Sequence, residues 1–140
     1  MTDTKIYAWI FLTVRELPTS LSDVLFSADG INRAEPRLNE LQASFGWLQA
    51  QGLVRKVGKE YLLTETGIAL NKSISCGNIF SIWDTIAERF SQLPEIDFQL
   101  DDITEKQVAT ARRISNERFR EIMQKLNEEE KSRGEGNACT

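Results

Sequence analysis

Residues 38–67 constrain the fold of this chain more than any other stretch. The stretch begins with apolar residues at spacings of three and four, the period of one helix face: Leu38, Leu41, Phe45 and Leu48. Gly52 follows as a left-handed helix stop. Residues 53–54 read as extended, residues 55–60 as a polar hairpin tip with Gly58 available for positive φ, and residues 61–64 as the returning strand. The stretch therefore predicts a helix followed by a small β-hairpin.

Two further helices are predicted before this stretch. Apolar residues at helical spacing predict the first helix over residues 4–16, and Pro18 ends it. Hydroxyl and acidic residues at 19–23 predict the start of a second helix, which the Asp-Gly pair at 29–30 ends. The third helix is expected to begin at the Glu-Pro pair at 35–36, because proline suits a first turn, and to run to about Gln51.

The second half of the chain is predicted to be helical as well. A fourth helix is expected from about Ile68, a strongly amphipathic one over residues 79–93, and a last long one from Thr104 to about Lys131. The acidic stretch at 95–102 alternates apolar and polar residues, which fits either a short strand or a packed loop. Residues 132–140 are polar and are expected to form a disordered tail.

The order of three helices and a hairpin, together with two short motifs, resembles the winged helix-turn-helix superfamily over residues 5–75. Residues 51–54 match its frequent exit from the third helix, x-Gly-Leu-Val/Ile, and residues 61–67 match its return strand, Tyr-x-Leu-Thr-x-x-Gly. The resemblance implies a mainly α fold with a small β-hairpin. With the helical pattern and the polar end of the chain, we expect a winged-helix domain (1–75), a helical C-terminal extension that could serve dimerisation (76–131) and the tail (132–140).

The resemblance also implies a function, a dimeric transcriptional regulator that binds double-stranded DNA. In that superfamily the third helix enters the major groove and the wing contacts phosphates. The positions of this chain that match are Arg33, Arg37, Glu40, Ser44 and Gln51 at the third helix, and Arg55, Lys56 and Lys59 on the wing.

The charge distribution keeps a second hypothesis open, a protein–protein module such as an adaptor, an inhibitor or an immunity-type protein. Residues 1–72 hold eight basic and eight acidic residues, and the whole chain has a net charge of −4. The predicted outer face of the third helix shows Glu40, Ser44 and Trp47 rather than cations. Trp47 is either an exposed anchor for a partner or is covered by the helix over 79–92. The last helix, with Arg113 and Phe119, fits packing, dimerisation or a basic docking surface.

Catalysis, cofactors and metals have little support in the sequence. The chain contains no histidine, which removes the commonest general base and zinc ligand, and it shows no Gly-rich phosphate loop. The acidic residues at 97–105 lack a calcium-loop frame and are interpreted as a solvated linker. Cys76 and Cys139 are too isolated to form a metal or redox motif, so reduced thiols in a cytoplasmic protein are expected. The apolar run at 6–14 is too short to cross a bilayer.

Overall fold

The computed structural model describes residues 1–74 and 77–133. The predictions about Cys76, Cys139 and the tail from residue 134 onward lie outside the described residues. The fold is mainly α with one two-stranded antiparallel hairpin, as predicted. Its elements in chain order are α1 (Asp3–Phe11), α2 (Leu21–Asn32), α3 (Leu38–Ala50), β1 (Val54–Val57), β2 (Glu60–Leu63), α4 (Glu65–Ser73), α5 (Ile79–Ser91) and α6 (Glu105–Arg133).

The hairpin is tighter than the sequence pattern indicates. Val57 pairs with Glu60, so the turn consists of Gly58 and Lys59 alone. Gly58 has φ +62°, which permits this two-residue turn, and Gly52 after α3 has φ +72°, as expected for a helix stop. The prediction of a polar tip over residues 55–60 is therefore wrong. Residues 55–57 belong to β1, where cross-strand pairing determines the side on which each side chain lies.

Helix α1 ends at Phe11, five residues before the predicted end. The chain leaves the helix because the next residues form hydrogen bonds with β2. The amide of Leu63 donates to the carbonyl of Arg15 at 2.9 Å, and Thr19 and Tyr61 exchange two backbone hydrogen bonds of 2.7 and 2.9 Å. Residues 15–19 thus lie along the hairpin. Tertiary hydrogen bonding, rather than Pro18, decides where the helix stops.

The boundary between α2 and α3 also differs from the prediction. Helix α2 passes through Gly30 and ends at Asn32, because Arg33 adopts the left-handed conformation with φ +53°. Helix α3 starts at Leu38, two residues after Pro36. The Glu40 carboxylate accepts a hydrogen bond from the Arg37 amide at 2.8 Å, which fixes the helix start there.

Helix α1 lies at the centre of the core. The Trp9 indole N–H donates to the carbonyl of Ala28 in α2 at 2.9 Å, and the Trp83 indole N–H of α5 donates to the carbonyl of Lys5 at 2.7 Å. Phe90 of α5 contacts Phe11 edge-on at 5.4 Å between ring centroids. The buried face of α5 therefore belongs to the same apolar cluster as α1. The division of the chain at residue 75 stays a prediction.

Residues 94–104 connect α5 to α6 as an irregular segment, here called the strap, so the loop alternative is correct. The strap lies along α3. The Asp101 amide donates to the carbonyl of Gln42 at 2.9 Å, and the Gln42 amide group donates to the carbonyl of Ile103 at 2.9 Å. At Gly46 the two backbones are so close that an added Cβ would lie 2.1 Å from the Gln99 carbonyl oxygen. The strap therefore requires glycine at this position of α3.

Replacing two helical glycines, Gly46 and Gly30, by alanine in separate variants tests this close approach. Gly46→Ala should destabilise the protein by about 1–3 kcal/mol, because the clash with the strap exceeds the gain in helix propensity. Gly30→Ala is the matched control, since an added Cβ there meets nothing within 4 Å. It should stabilise the protein by about 0.5–1 kcal/mol. Urea unfolding measures both changes, and equal effects would contradict the placement of the strap.

Candidate functional site

Two residues of α3 that were predicted to meet a partner, Ser44 and Trp47, are buried under the rest of the protein. Trp47 is 8% exposed and stacks on Tyr7 at 4.8 Å between ring centroids, with Phe90 at 4.9 Å on another side. Helices α1 and α5 thus cover Trp47, so of the two alternatives for this residue the covered one describes the structure. Ser44 is 0% exposed. Neither side chain lies on the surface of this conformation.

Buried Ser44 has no hydrogen-bond partner for its hydroxyl among the described residues. A buried hydroxyl without a partner costs free energy, because its hydrogen bonds to water are lost and not replaced. The sequence pattern placed Ser44 on the outer face of α3, and that pattern could not anticipate that the strap covers this helix.

Asp101 of the strap is the centre of a buried polar cluster. Its side chain is 4% exposed, and its carboxylate accepts hydrogen bonds from the Tyr61 hydroxyl at 2.6 Å, from the Gln49 amide group at 2.8 Å and from the Lys56 ammonium at 3.0 Å. Lys56 also contacts exposed Asp102 at 2.5 Å. These five residues are called the strap clamp below. The prediction that the acidic stretch is a solvated linker is wrong for Asp101.

Within the strap clamp, neighbouring groups shift the pKa of Lys56, Tyr61 and Asp102 so that each keeps the protonation state its hydrogen bonds need. Burial alone would lower the pKa of Lys56, but hydrogen bonds and charge from Asp102 and Asp101 outweigh burial and raise it. Burial and the hydrogen bond to Asp101 raise the pKa of Tyr61 far above its usual range, so its hydroxyl stays protonated and donates. The hydrogen bond from Lys56 lowers the pKa of Asp102. Contact between these two groups is therefore kept at neutral pH and is lost only as the pH falls through that lowered pKa.

The remaining predicted DNA-binding cations lie on the surface. Arg33, Arg37, Arg55 and Lys59 are exposed, and no hydrogen bond or ion pair engages their side chains within the described part of the chain. Lys56 differs from them because two aspartates already neutralise it. Gln51 donates to the carbonyl of Pro94 at 2.9 Å, so it too is engaged by the strap.

Helix α6 consists of two parts with different surroundings. In the first part Val108, Ala111 and Ser115 are buried, where the helix packs against α2. Arg118 ends this contact by pairing with Asp23 at 2.5 Å. Every residue from 116 to 131 is exposed, and this part is called the free end of α6 below.

The free end of α6 carries an apolar stripe on a helix that is otherwise charged. Its large apolar side chains are 36–50% exposed: Phe119, Ile122, Met123 and Leu126. They continue the stripe that Ala111 and Ser115 begin under α2. Arg113, also a predicted partner contact, is exposed just before the free end and has no partner among the described residues.

Compared with protein-family models, curated proteins and solved structures, the chain shows no match. Within residues 1–74 and 77–133, no three acidic or cysteine side chains come together in a way that could hold a metal ion. In the same residues no helix combines the length and the apolar character needed to cross a membrane. The surfaces described above are therefore the basis for a functional proposal.

Removing the Asp101 carboxylate should release the strap. Asp101→Ala leaves Tyr61 and Lys56 without a buried acceptor and should cost about 2–4 kcal/mol of unfolding free energy. Asp102→Ala is the comparison within the clamp, because its side chain is 91% exposed and its removal leaves the three hydrogen bonds to the Asp101 carboxylate in place. Hydrogen exchange should accelerate in the strap for Asp101→Ala alone. Equal exchange in the two variants would argue against the clamp.

Replacing Ser44 by alanine should leave the protein equally stable or make it more stable by up to about 1 kcal/mol, because a buried hydroxyl without a partner is removed. Thermal unfolding monitored by circular dichroism measures the change. A clear loss of stability would mean that the Ser44 hydroxyl forms a hydrogen bond in solution.

Proposed function

We propose that this protein is a winged-helix-like protein-interaction module that self-associates through the free end of α6. The winged-helix assignment is supported by three helices followed by an antiparallel hairpin, with Gly52 as the stop after the third helix. The observation that carries the proposed function is the apolar stripe on the free end, which no other described element covers.

An exposed single helix with this stripe is expected to need a partner. The free end is about 24 Å long at the usual helical rise. Isolated helices are marginally stable in water, and most helical stability in proteins comes from packing of an apolar face. Phe119, Ile122 and Leu126 follow spacings of three and four, which form a continuous seam for a second helix. Covering this seam would stabilise the helix and remove apolar surface from water.

Charge along α6 favours a second copy of the same helix in antiparallel orientation. Arg113 precedes the exposed apolar side chains of the free end, and Glu129 and Glu130 follow them, while Arg112 pairs with Glu35 of its own chain. If two copies cross near Ile122, the glutamates of one copy lie beside Arg113 of the other. A parallel pair would place like charges together, which is unfavourable. Such a two-fold arrangement uses the same surface on both copies.

The covered state of α3 argues against base reading by this helix in the described conformation. Ser44 and Trp47 are buried, and the backbone of the strap contacts Gly46. DNA binding nevertheless has one observation in its favour, the exposed cations Arg33, Arg37, Arg55 and Lys59. If it occurs, it should be sensitive to salt and to Arg55→Glu, and largely insensitive to sequence.

Self-association is tested by sedimentation velocity over a wide range of protein concentration. The wild-type protein should form a dimer in a concentration-dependent way, and Phe119→Lys should weaken the dimer at least about tenfold by placing a charge in the apolar seam. Leu17→Lys is the matched control, because Leu17 is 70% exposed but lies outside α6. A wild-type protein that stays monomeric, or equal effects of the two variants, would contradict the proposal.

The antiparallel orientation is tested by charge exchange. Arg113→Glu should weaken the dimer, because Glu129 of the second copy then faces a like charge. Adding Glu129→Arg in the same chain should restore it, since both changes together exchange the two charges. If the double variant does not recover association, the antiparallel register is excluded. Self-association through the apolar seam is tested separately by Phe119→Lys.

A further inference from the structure

A cleft of about 490 Å³ lies between the start of α2, the hairpin and the first part of α6. Its volume is within the range of small-molecule sites, roughly 300–1,000 Å³. Much of its wall is apolar, formed by Leu21, Tyr61, Ile103, Ala111 and Ile114. The apolar surface that a ligand could remove from water belongs mainly to exposed Ile114 and partly buried Leu21, because Tyr61, Ile103 and Ala111 are already buried.

Lysines from two separate elements line the same cleft. Lys59 of the hairpin turn and Lys106 of α6 form no hydrogen bond or ion pair within the described part of the chain. Lys56 also lines the cleft, but its ammonium is held by Asp101 and Asp102. The cleft therefore has two ammonium groups available for a ligand, while the third stabilises the strap.

One carboxylate limits the charge of a suitable ligand. Glu60 lines the cleft beside Lys59, so Lys59, Lys106 and Glu60 sum to one positive charge, whereas Lys56 together with Asp101 and Asp102 sums to one negative charge at the edge of the cleft. A dianion such as phosphate would meet repulsion from Glu60 and would leave the apolar wall uncovered. A monoanion with an apolar body would use both features of the cleft.

We propose that this cleft binds a small-molecule monocarboxylate with an apolar body. Lys59 and Lys106 pair with the ligand carboxylate, and the body packs between Leu21 on α2 and Ile114 on α6. The hydroxyl of Thr110 lines the same cleft and is a further hydrogen-bond donor. The site does not depend on self-association of the free end of α6, because its residues precede that part of the helix.

The probe is 2-naphthoate, with neutral 2-naphthamide as its matched control of the same shape. Titration of isotope-labelled full-length protein, followed by amide NMR shifts, gives both affinity and location. Shifts are expected at residues 20–22, 58–61 and 106–114, and 2-naphthamide should bind more weakly. Raising the salt concentration should weaken naphthoate binding because exposed charges are screened. Equal binding of the two compounds, no binding, or shifts confined to the free end of α6 would overturn the proposal.

Variants that remove either a positive or a negative charge from the cleft provide a second test. Lys59→Gln and Lys106→Gln should each weaken naphthoate binding about two- to fivefold, the range for exposed charges, and the double variant should weaken it further. Glu60→Gln should strengthen binding by a similar factor, because it removes the repulsive carboxylate. Lys72→Gln is the control, since Lys72 is exposed on α4 and does not line the cleft. Unchanged affinity in the double lysine variant, or weaker binding in Glu60→Gln, would contradict the assignment.

Discussion

The buried carboxylate of Asp101 connects the main parts of this structure. It accepts hydrogen bonds from Gln49 of α3, Lys56 of β1 and Tyr61 of β2. A buried carboxylate is tolerated only when donors replace the water it has lost, so these contacts have to form together. Through Asp101 the strap is held against α3 and the hairpin. Together with the hydrogen bonds that Gln42 and Gln51 form with the strap backbone, this side chain fixes the position of a segment that has no regular structure.

Two consequences of the strap bear on function. It covers the helix that would read bases in a DNA-binding winged helix, and it draws a wing lysine inward. It also positions the start of α6, where Thr104 and Gln107 cap the helix by reciprocal hydrogen bonds of 2.9 and 3.2 Å. From there α6 first packs on α2 and then extends beyond it. The same apolar stripe is thus covered in the first part of the helix and exposed in the second.

The parts of the fold that the sequence predicted well depend on local interactions. The apolar face of α3 and the positive φ of Gly52 each follow from a few neighbouring residues. The predictions that failed depend on distant partners. The end of α1 is decided by hydrogen bonds to β2, and the burial of Asp101 by donors 40–52 positions away. Periodicity contains no information about such pairs.

The sequence by itself determined a mainly helical chain with one hairpin, because helix periodicity and turn chemistry are written into short stretches of residues. It also identified the cations of the wing and Phe119 of the last helix. Only the tertiary structure decided which of these remain on the surface. Lys56 is held by the strap and Trp47 is covered by α5, whereas Lys59 and Phe119 stay exposed. The reason is that burial depends on which elements pack together, and a sequence pattern determines only which face of an element is able to pack.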